Sequence, residues 1–202
     1  MTSQLDTLTG EHRSIRAVLD GMRYLLREKR ARFAAVDNRV FGAMLYYLDV
    51  FGERVHHPRE ESILFEALRH RSAAIDEVVE ELAREHEGGE SAIRAVEQAF
   101  VRFLEGGAAE FAGFAGKAER YVEQYLEHMR KEEELLLPYA REVLGAADWA
   151  AIEASYAESK DPLSGVDHTD YRALFSRIAE LAPPPIGLGP VPSGHDRRLR
   201  LG

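Results

Sequence analysis

Four long stretches of the chain repeat apolar residues at alternating steps of three and four, which is the spacing of one buried helix face. In the first stretch these positions are Leu5, Leu8, His12, Ile15, Leu19, Met22 and Leu26. The other three stretches cover about 38–70, 72–105 and 108–144. No segment shows the two-residue alternation that indicates a strand. The sequence therefore predicts an all-α protein.

The links between these stretches are short, at about 31–37, 69–72 and 106–107. Short links between long helices make neighbours antiparallel, so we expect an up-down-up-down four-helix bundle over residues 1–145. A long two-stranded coiled coil is the alternative, which the glycine breaks and short turns disfavour.

Residues 146–202 differ in character from the bundle. They are predicted to form a helical extension with two shorter helices, at 148–158 and 170–181, separated by the turn sequence DPLSG at 161–165. A Pro/Gly-rich, extended tail follows, which we expect to pack on the bundle at Ile186 and Leu188.

Composition excludes several classes of function. The chain contains no cysteine, which removes disulfides, thiolate zinc sites and iron–sulfur clusters. A net charge of −9 argues against nucleic-acid binding, which needs a basic face. Neither a signal peptide nor an apolar run of membrane-spanning length is visible. We expect a cytoplasmic protein without a nucleic-acid or membrane partner, and the oligomeric state stays open.

Histidines occur on or beside the buried face of each long helix. His12, His86 and His128 replace apolar residues of the repeat, and His56 follows Val55 on the second helix. A lone histidine on such a face is usually a core residue hydrogen-bonded to a neighbour, since an unpaired buried polar group costs about 1–3 kcal/mol. One histidine on each of four helices instead predicts a shared interior site.

Two of these histidines begin an H-x-x-x-E-E motif, at His56–Glu61 and His128–Glu133. Residues four apart lie on one helix face, so each motif presents an imidazole and a carboxylate to the same point. Two buried glutamates facing each other would repel, and a pair of cations removes that repulsion. Nitrogen and carboxylate ligands suit iron or manganese, and also zinc. Glu60 and Glu132 could then bridge two metal ions.

The register of the second helix is ambiguous, because His57 and Glu61 are also four residues apart. Aligning the two motifs favours His56 and Glu60, since leucine or phenylalanine follows Glu60 and Glu132 at the same offsets. His57 is then expected to point about 100° away from the site, which is the rotation per residue of a helix. Pro58 is expected to bend the helix axis.

Four motifs occur in this order along the chain: Glu11-His12, HHPREESILF from His56, Glu85-His86 and HMRKEEELLLP from His128. Together they make residues 5–144 resemble the hemerythrin-like family of HHE cation-binding proteins. The resemblance implies a non-haem di-iron centre with an oxo, hydroxo or water bridge. It implies that His12 and His56 bind one iron, that His86 and His128 bind the other, and that Glu60 and Glu132 bridge them. Manganese and zinc are the less favoured metals.

The sequence departs from the oxygen-carrying members of that family one turn after His86. They have a second histidine there, whereas this chain has Glu90. Glu90 is either a seventh ligand, which would stabilise ferric iron, or a residue that misses the metal altogether. The neighbouring Gly88 and Gly89 indicate a close approach or a local distortion. Tyr121 and Tyr125 lie on the same face as His128 and either pack in the core or orient ligands.

The resemblance implies a protein that senses or handles O2, NO, peroxide or iron, with a small diatomic ligand or peroxide as its partner molecule. A di-iron oxidase or peroxidase-like enzyme is the second hypothesis. A metal-free helical scaffold with packed histidines is the third. Repair of iron centres has less support, because relatives with that role often carry an N-terminal cysteine module, and this chain has no cysteine.

Overall fold

A computed structural model describes residues 4–33, 36–158, 161–163 and 176. Every regular element among these residues is helical, which confirms the all-α prediction for the described part of the chain. The elements in chain order are α1 (Gln4–Ala31), α2 (38–71), a 3₁₀ turn (Ala73–Ile75), α3 (Asp76–Gly106), α4 (108–143) and α5 (Ala146–Glu158).

Helices α2 and α4 are not regular α-helices throughout. The α2 helix contains π-helical segments at Leu48–His56 and Glu60–Phe65, and α4 contains one at Glu132–Leu136. The remaining parts are α-helical: Asn38–Tyr47, His57–Arg59, Glu66–Arg71, Ala108–Lys131 and Leu137–Val143. A π turn has hydrogen bonds from residue i to i+5, so it changes the angular spacing of side chains along the helix.

A proline follows the π segment in each of these helices. Leu48–His56 ends two residues before Pro58, and Glu132–Leu136 ends two residues before Pro138. Proline has no backbone N–H and its ring crowds the carbonyl four residues earlier, so a regular α turn is unfavourable there. The distortion expected at Pro58 therefore takes the form of a widened turn.

Local signals in the sequence explain where the helices begin and how α3 joins α4. The Asp37 carboxylate accepts a 2.9 Å hydrogen bond from the Arg39 backbone N–H at the start of α2. Gly107, with φ at +64°, forms the one-residue link between α3 and α4, in a backbone conformation that disfavours residues with a side chain.

The buried apolar residues form two clusters. The first contains the phenylalanines Phe41, Phe100, Phe103 and Phe114 together with residues 15–26 of α1. The second contains Leu8 and residues from the end of α2, the start of α3 and the end of α4. Helix α5 adds Trp149, Ile152 and Tyr156 to the second cluster and packs against α1.

Each long helix passes from one cluster to the other. Helices α1 and α3 run from the second cluster to the first, and α2 and α4 run from the first to the second. An up-down-up-down arrangement requires this alternation. That topology and the division at residue 145 remain predictions, and the structure supports the coarser description of a helical bundle. The predicted helix at 170–181, the tail and its contacts at Ile186 and Leu188 lie outside the described residues. Among the helices that are described, none has the length and apolar character needed to span a bilayer.

Candidate metal centre

Seven ionisable side chains meet in the interior at the level between the two apolar clusters. They come from all four long helices: His12 on α1, His56, His57 and Glu60 on α2, His86 on α3, and His128 and Glu132 on α4. None of them exposes more than 5% of its surface. Burying this many polar groups costs free energy unless a partner satisfies them, so the site needs a physical explanation.

Each of the five histidines is held by a glutamate at its Nδ1 atom. The Nδ1–carboxylate distances are 3.1 Å for His12–Glu133, 2.9 Å for His56–Glu11, 3.1 Å for His57–Glu53, 2.8 Å for His86–Glu61 and 2.8 Å for His128–Glu85. An Nδ1–H that donates to a carboxylate fixes the ring orientation and leaves the Nε2 lone pair free to bind a metal ion. The same arrangement therefore occurs at all five rings.

Most of the atoms that point inward lack hydrogen-bond partners. The buried atoms without a partner in this region are Nε2 of His12, His56 and His57 and both carboxylate oxygens of Glu60 and Glu132. Unsatisfied buried polar atoms are rare in folded proteins, and an ion at the site is one recognised cause. Nε2 of His86 and Nε2 of His128 lie 2.9 Å apart. Burial opposes protonation of His128, but the adjacent Glu132 raises its pKa to about 10, so without a metal ion the protonated His128 ring donates to His86.

The spacing of the inward atoms fits metal coordination. His12 Nε2 lies 3.4 Å from a Glu132 oxygen, and His56 Nε2 lies 3.4 Å from a Glu60 oxygen. His128 Nε2 lies 3.4 Å from the other Glu132 oxygen. Two atoms that bind one ion at about 2.0–2.2 Å, with tetrahedral or octahedral angles, are about 2.8–3.6 Å apart. The observed distances exceed ordinary hydrogen bonds but fit shared coordination.

Three overlapping groups of these residues could each hold a metal ion. They are His12, His56 and Glu60; Glu60, His86, His128 and Glu132; and His57, His86 and His128. Within each group the candidate ligand atoms all lie within 4.8 Å of one another. Glu60 belongs to two groups, so its two oxygens can serve two neighbouring ions.

Electrostatics favour neutral imidazoles at three of the five rings. Burial lowers the pKa of His57 to about 3 and of His86 to about 2, and it also holds the pKa of His56 well below its usual value. A neutral ring is the form that binds a metal ion.

The two facing carboxylates cannot both be ionised without compensating charge. Burial and the adjacent Glu132 raise the pKa of Glu60 to about 8. Burial opposes protonation of His12, but its hydrogen bond to Glu133 raises its pKa to about 10. Bound cations would replace these protons, because metal ligands must be deprotonated.

A family comparison agrees with this chemistry. The model of the hemerythrin HHE cation-binding domain matches residues 3–140. The chain belongs to this family. No curated protein and no solved structure matches the chain. The resemblance inferred from the motifs is thus confirmed, and the matched residues include all seven members of the cluster.

The structure brings together six of the seven residues predicted as ligands: His12, His56, Glu60, His86, His128 and Glu132. It does not bring Glu90 to them. The Glu90 side chain is 54% exposed and accepts a 2.9 Å hydrogen bond from Arg94, one turn further along α3. The structure thus favours the alternative that Glu90 misses the metal, because its carboxylate faces solvent.

Glu53 fills the space beside α3 where the sequence suggested a ligand from that helix. A Cβ atom on Gly89 would lie 2.3 Å from a Glu53 oxygen, so only glycine leaves room for this carboxylate. Glu53 accepts hydrogen bonds from His57 and, at 2.6 Å, from the Tyr121 hydroxyl. Gly89 thus marks a close approach, which is one of the two alternatives that the sequence left open, whereas a Cβ atom on Gly88 would meet no atom within 4 Å.

His57 is the member of the cluster that the sequence analysis missed. It was expected to point about 100° away from the site, but the π segment that ends at His56 alters the spacing, and both histidines are buried inward. The ambiguous register is resolved because both rings reach the cluster, whereas Glu61 lies outside it and accepts from His86. Glu53 lies four residues before His57, and this spacing is the feature of the sequence that could have predicted a glutamate orienting the His57 ring.

The two tyrosines have different surroundings. Tyr121 orients Glu53 through its hydroxyl, and the Tyr125 ring stacks on the His57 ring with centroids 5.0 Å apart. Tyr121 therefore acts on the cluster through Glu53, while Tyr125 packs directly against one candidate ligand.

Proposed function

We propose that this protein binds two iron ions between Glu60 and Glu132 and uses them to handle or sense O2, NO, peroxide or iron. His12 and His56 would hold one ion, and His86 and His128, joined by His57, would hold the other. The observation that carries this proposal is the set of five Nδ1–carboxylate contacts, which turn five Nε2 atoms toward one buried point. When bound, iron supplies reversible one-electron chemistry and open coordination positions for small ligands.

The residues around the metal ligands would keep the centre oriented and dry. Arg59 donates a 2.7 Å hydrogen bond to Glu11, which in turn accepts from His56. The Arg59 guanidinium lies 4.5 Å from the centre of the Tyr156 ring on α5, so α5 covers this contact. Fixed partners of this kind reduce the reorganisation needed when an ion or its small ligand changes charge.

The metal-free scaffold explains the cluster less well. A scaffold would pair its buried polar atoms with one another, whereas three ring nitrogens and four carboxylate oxygens here have no hydrogen-bond partner. A cytoplasmic location stays a prediction of the sequence analysis.

A di-iron oxidase or peroxidase-like enzyme is the second candidate function. A cavity of about 810 Å³, lined in part by His57 and His128, favours it, because a protein that only binds a diatomic molecule does not need that volume. Peroxide turnover by the iron-loaded protein, measured beside azide binding, separates an enzyme from a binding protein.

The test of the proposed function is iron content with a matched pair of glutamate variants. We expect about two iron ions per wild-type chain, with a near-ultraviolet absorption that shifts when azide is added. Glu60→Gln should lose most of its iron, while Glu90→Gln, which changes an exposed glutamate of α3, should keep it. Less than one iron per wild-type chain after expression in iron-replete medium would favour the scaffold.

A further inference from the structure

One feature of the described residues that the proposed function leaves unassigned is the cavity between α3 and α4, which borders the histidine cluster. Its volume is about 810 Å³, and it lies beside Gly88, Gly89, Ala92, Tyr121 and Tyr125. A water molecule occupies about 30 Å³, and a diatomic ligand needs a space of that order. Cavities of roughly 300–1,000 Å³ are typical of sites for organic molecules.

The floor of this cavity is a stack of aromatic rings. His57 packs between His86, at a centroid distance of 4.0 Å, and Tyr125, at 5.0 Å, and both contacts are nearly parallel. His57, Tyr125 and His128 all border the cavity although each is at least 95% buried. A planar ring entering the cavity would meet the edge of the His57 ring and the rings of Tyr125 and His128, and aromatic groups favour such contacts over aliphatic ones.

The wall formed by α3 consists of small residues. Gly88 and Ala92, one turn apart, both border the cavity, and a Cβ atom on Gly88 would meet no atom within 4 Å. The space beside this wall is therefore open to a ligand and is not filled by a neighbouring side chain of the described chain.

Charge at the cavity disfavours an anionic ligand. Arg120 is the one arginine or lysine of the lining, against the four carboxylates of Glu53, Glu85, Glu123 and Glu127. Without surplus positive charge, a carboxylate or phosphate group would lose its hydration and gain no counterion. The ring stack favours an aromatic molecule, and this charge balance disfavours an anionic one.

We propose that the cavity between α3 and α4 is a binding site for a neutral aromatic molecule of about ten to fifteen heavy atoms, held against His57 and Tyr125. This inference deepens the proposed function by naming an organic ligand for the same centre. The site is built by protein atoms alone, so it is tested in both metal-free and iron-loaded protein.

The test is isothermal titration of the intact protein with 1-naphthol, 1-naphthoate and decahydro-1-naphthol. We expect 1-naphthol to bind in both metal states, and decahydro-1-naphthol to bind about two- to tenfold more weakly because it cannot stack. We expect 1-naphthoate to bind at least about tenfold more weakly because the lining offers no surplus cation. Equal binding of either analogue, or no binding of 1-naphthol, overturns the inference.

Two glycine variants localise the binding. Gly88→Leu should weaken 1-naphthol binding at least about tenfold by occupying the cavity, since close-packed sites tolerate little overlap. Gly113→Leu is the control, because Gly113 lies on α4 outside the cavity lining, and a Cβ atom on it would also meet no atom within 4 Å. Unchanged binding in Gly88→Leu would contradict the assignment. Iron content measured on the same samples reports separately on the metal centre.

Discussion

At the residue scale, the centre depends on glutamates that lie outside it as much as on the ligands themselves. Each ring receives its carboxylate from a different part of the chain: Glu133, Glu11, Glu53, Glu61 and Glu85. The H-x-x-x-E-E motifs therefore have a second role. The second glutamate of each motif orients a histidine on another helix: Glu61 contacts His86, and Glu133 contacts His12. Each motif therefore contributes to the ligand set and to its orientation.

Replacing His57 tests whether it is a ligand. We expect His57→Ala to retain about one iron ion per chain where the wild type holds about two, because one ion loses a nitrogen donor. His70→Ala is the matched control, since His70 is an exposed histidine near the end of the same helix. Iron content of the purified proteins checks this, and a full iron complement in His57→Ala would show that the ring is only packed beside the site.

Gly89 and Gly88 form a matched pair for the role of Glu53. Gly89→Ala should displace the Glu53 carboxylate, which is buried and held by two hydrogen bonds, and so weaken iron binding about 10–100-fold. Gly88→Ala should leave iron binding unchanged and stabilise α3 by up to about 1 kcal/mol, because its Cβ meets open space. Competition with a chelator of known affinity measures both, and equal affinities for iron would exclude the positioning role of Glu53.

At the element scale, the π segments explain what could be predicted from sequence and what could not. Apolar spacing was sufficient to predict the four long helices and to place His12, His86 and His128 on their inner faces, because α1, α3 and most of α4 keep a period of 3.6. That period fails between Leu48 and Phe65, where two π segments flank Pro58. His57 was therefore assigned to the wrong face. The position of Glu90 one turn after His86 did not predict where its side chain points. Its carboxylate faces solvent and accepts a hydrogen bond from Arg94.

Helix α5 is expected to stabilise the end of the bundle that contains the second apolar cluster. Trp149 is 6% exposed within that cluster, and Asp148 forms an ion pair with Arg71 at the end of α2. Trp149→Ala should lower the free energy of unfolding by about 3–5 kcal/mol, whereas Tyr24→Ala, at a 56% exposed aromatic residue of α1, should change it by less than about 0.5 kcal/mol. Urea unfolding followed by circular dichroism measures the difference, and similar losses in both variants would mean that α5 is not docked.

At the scale of the whole molecule, the buried centre couples metal binding to stability. Ligands from four helices meet at one point, so an ion bound there links elements that are far apart in the sequence. Anything that binds only the folded state stabilises it, by about 4 kcal/mol when its concentration is a thousand times Kd. We expect the iron-loaded protein to have a higher Tm than the chelated protein. Identical thermal unfolding curves for the two forms would mean that no ion binds in the interior.

The cluster also lies where the bundle is best able to support it. Apolar residues fill the interior on both sides of the cluster, and each long helix contributes ligands between its two apolar sections. Packed rods of this kind hold side chains more exactly than loops do, so the ligand geometry follows from the fold. This is why helix assignment from sequence was enough to predict most of the site.

The most direct test is the anomalous difference map of an iron-loaded crystal measured at the iron absorption edge. We expect two peaks inside the bundle. One should lie within coordination distance of His12 and His56, and the other within that distance of His86 and His128 with His57 beside it, with Glu60 and Glu132 between them. A single surface peak, or no interior peak in crystals of protein shown to contain iron, would contradict it.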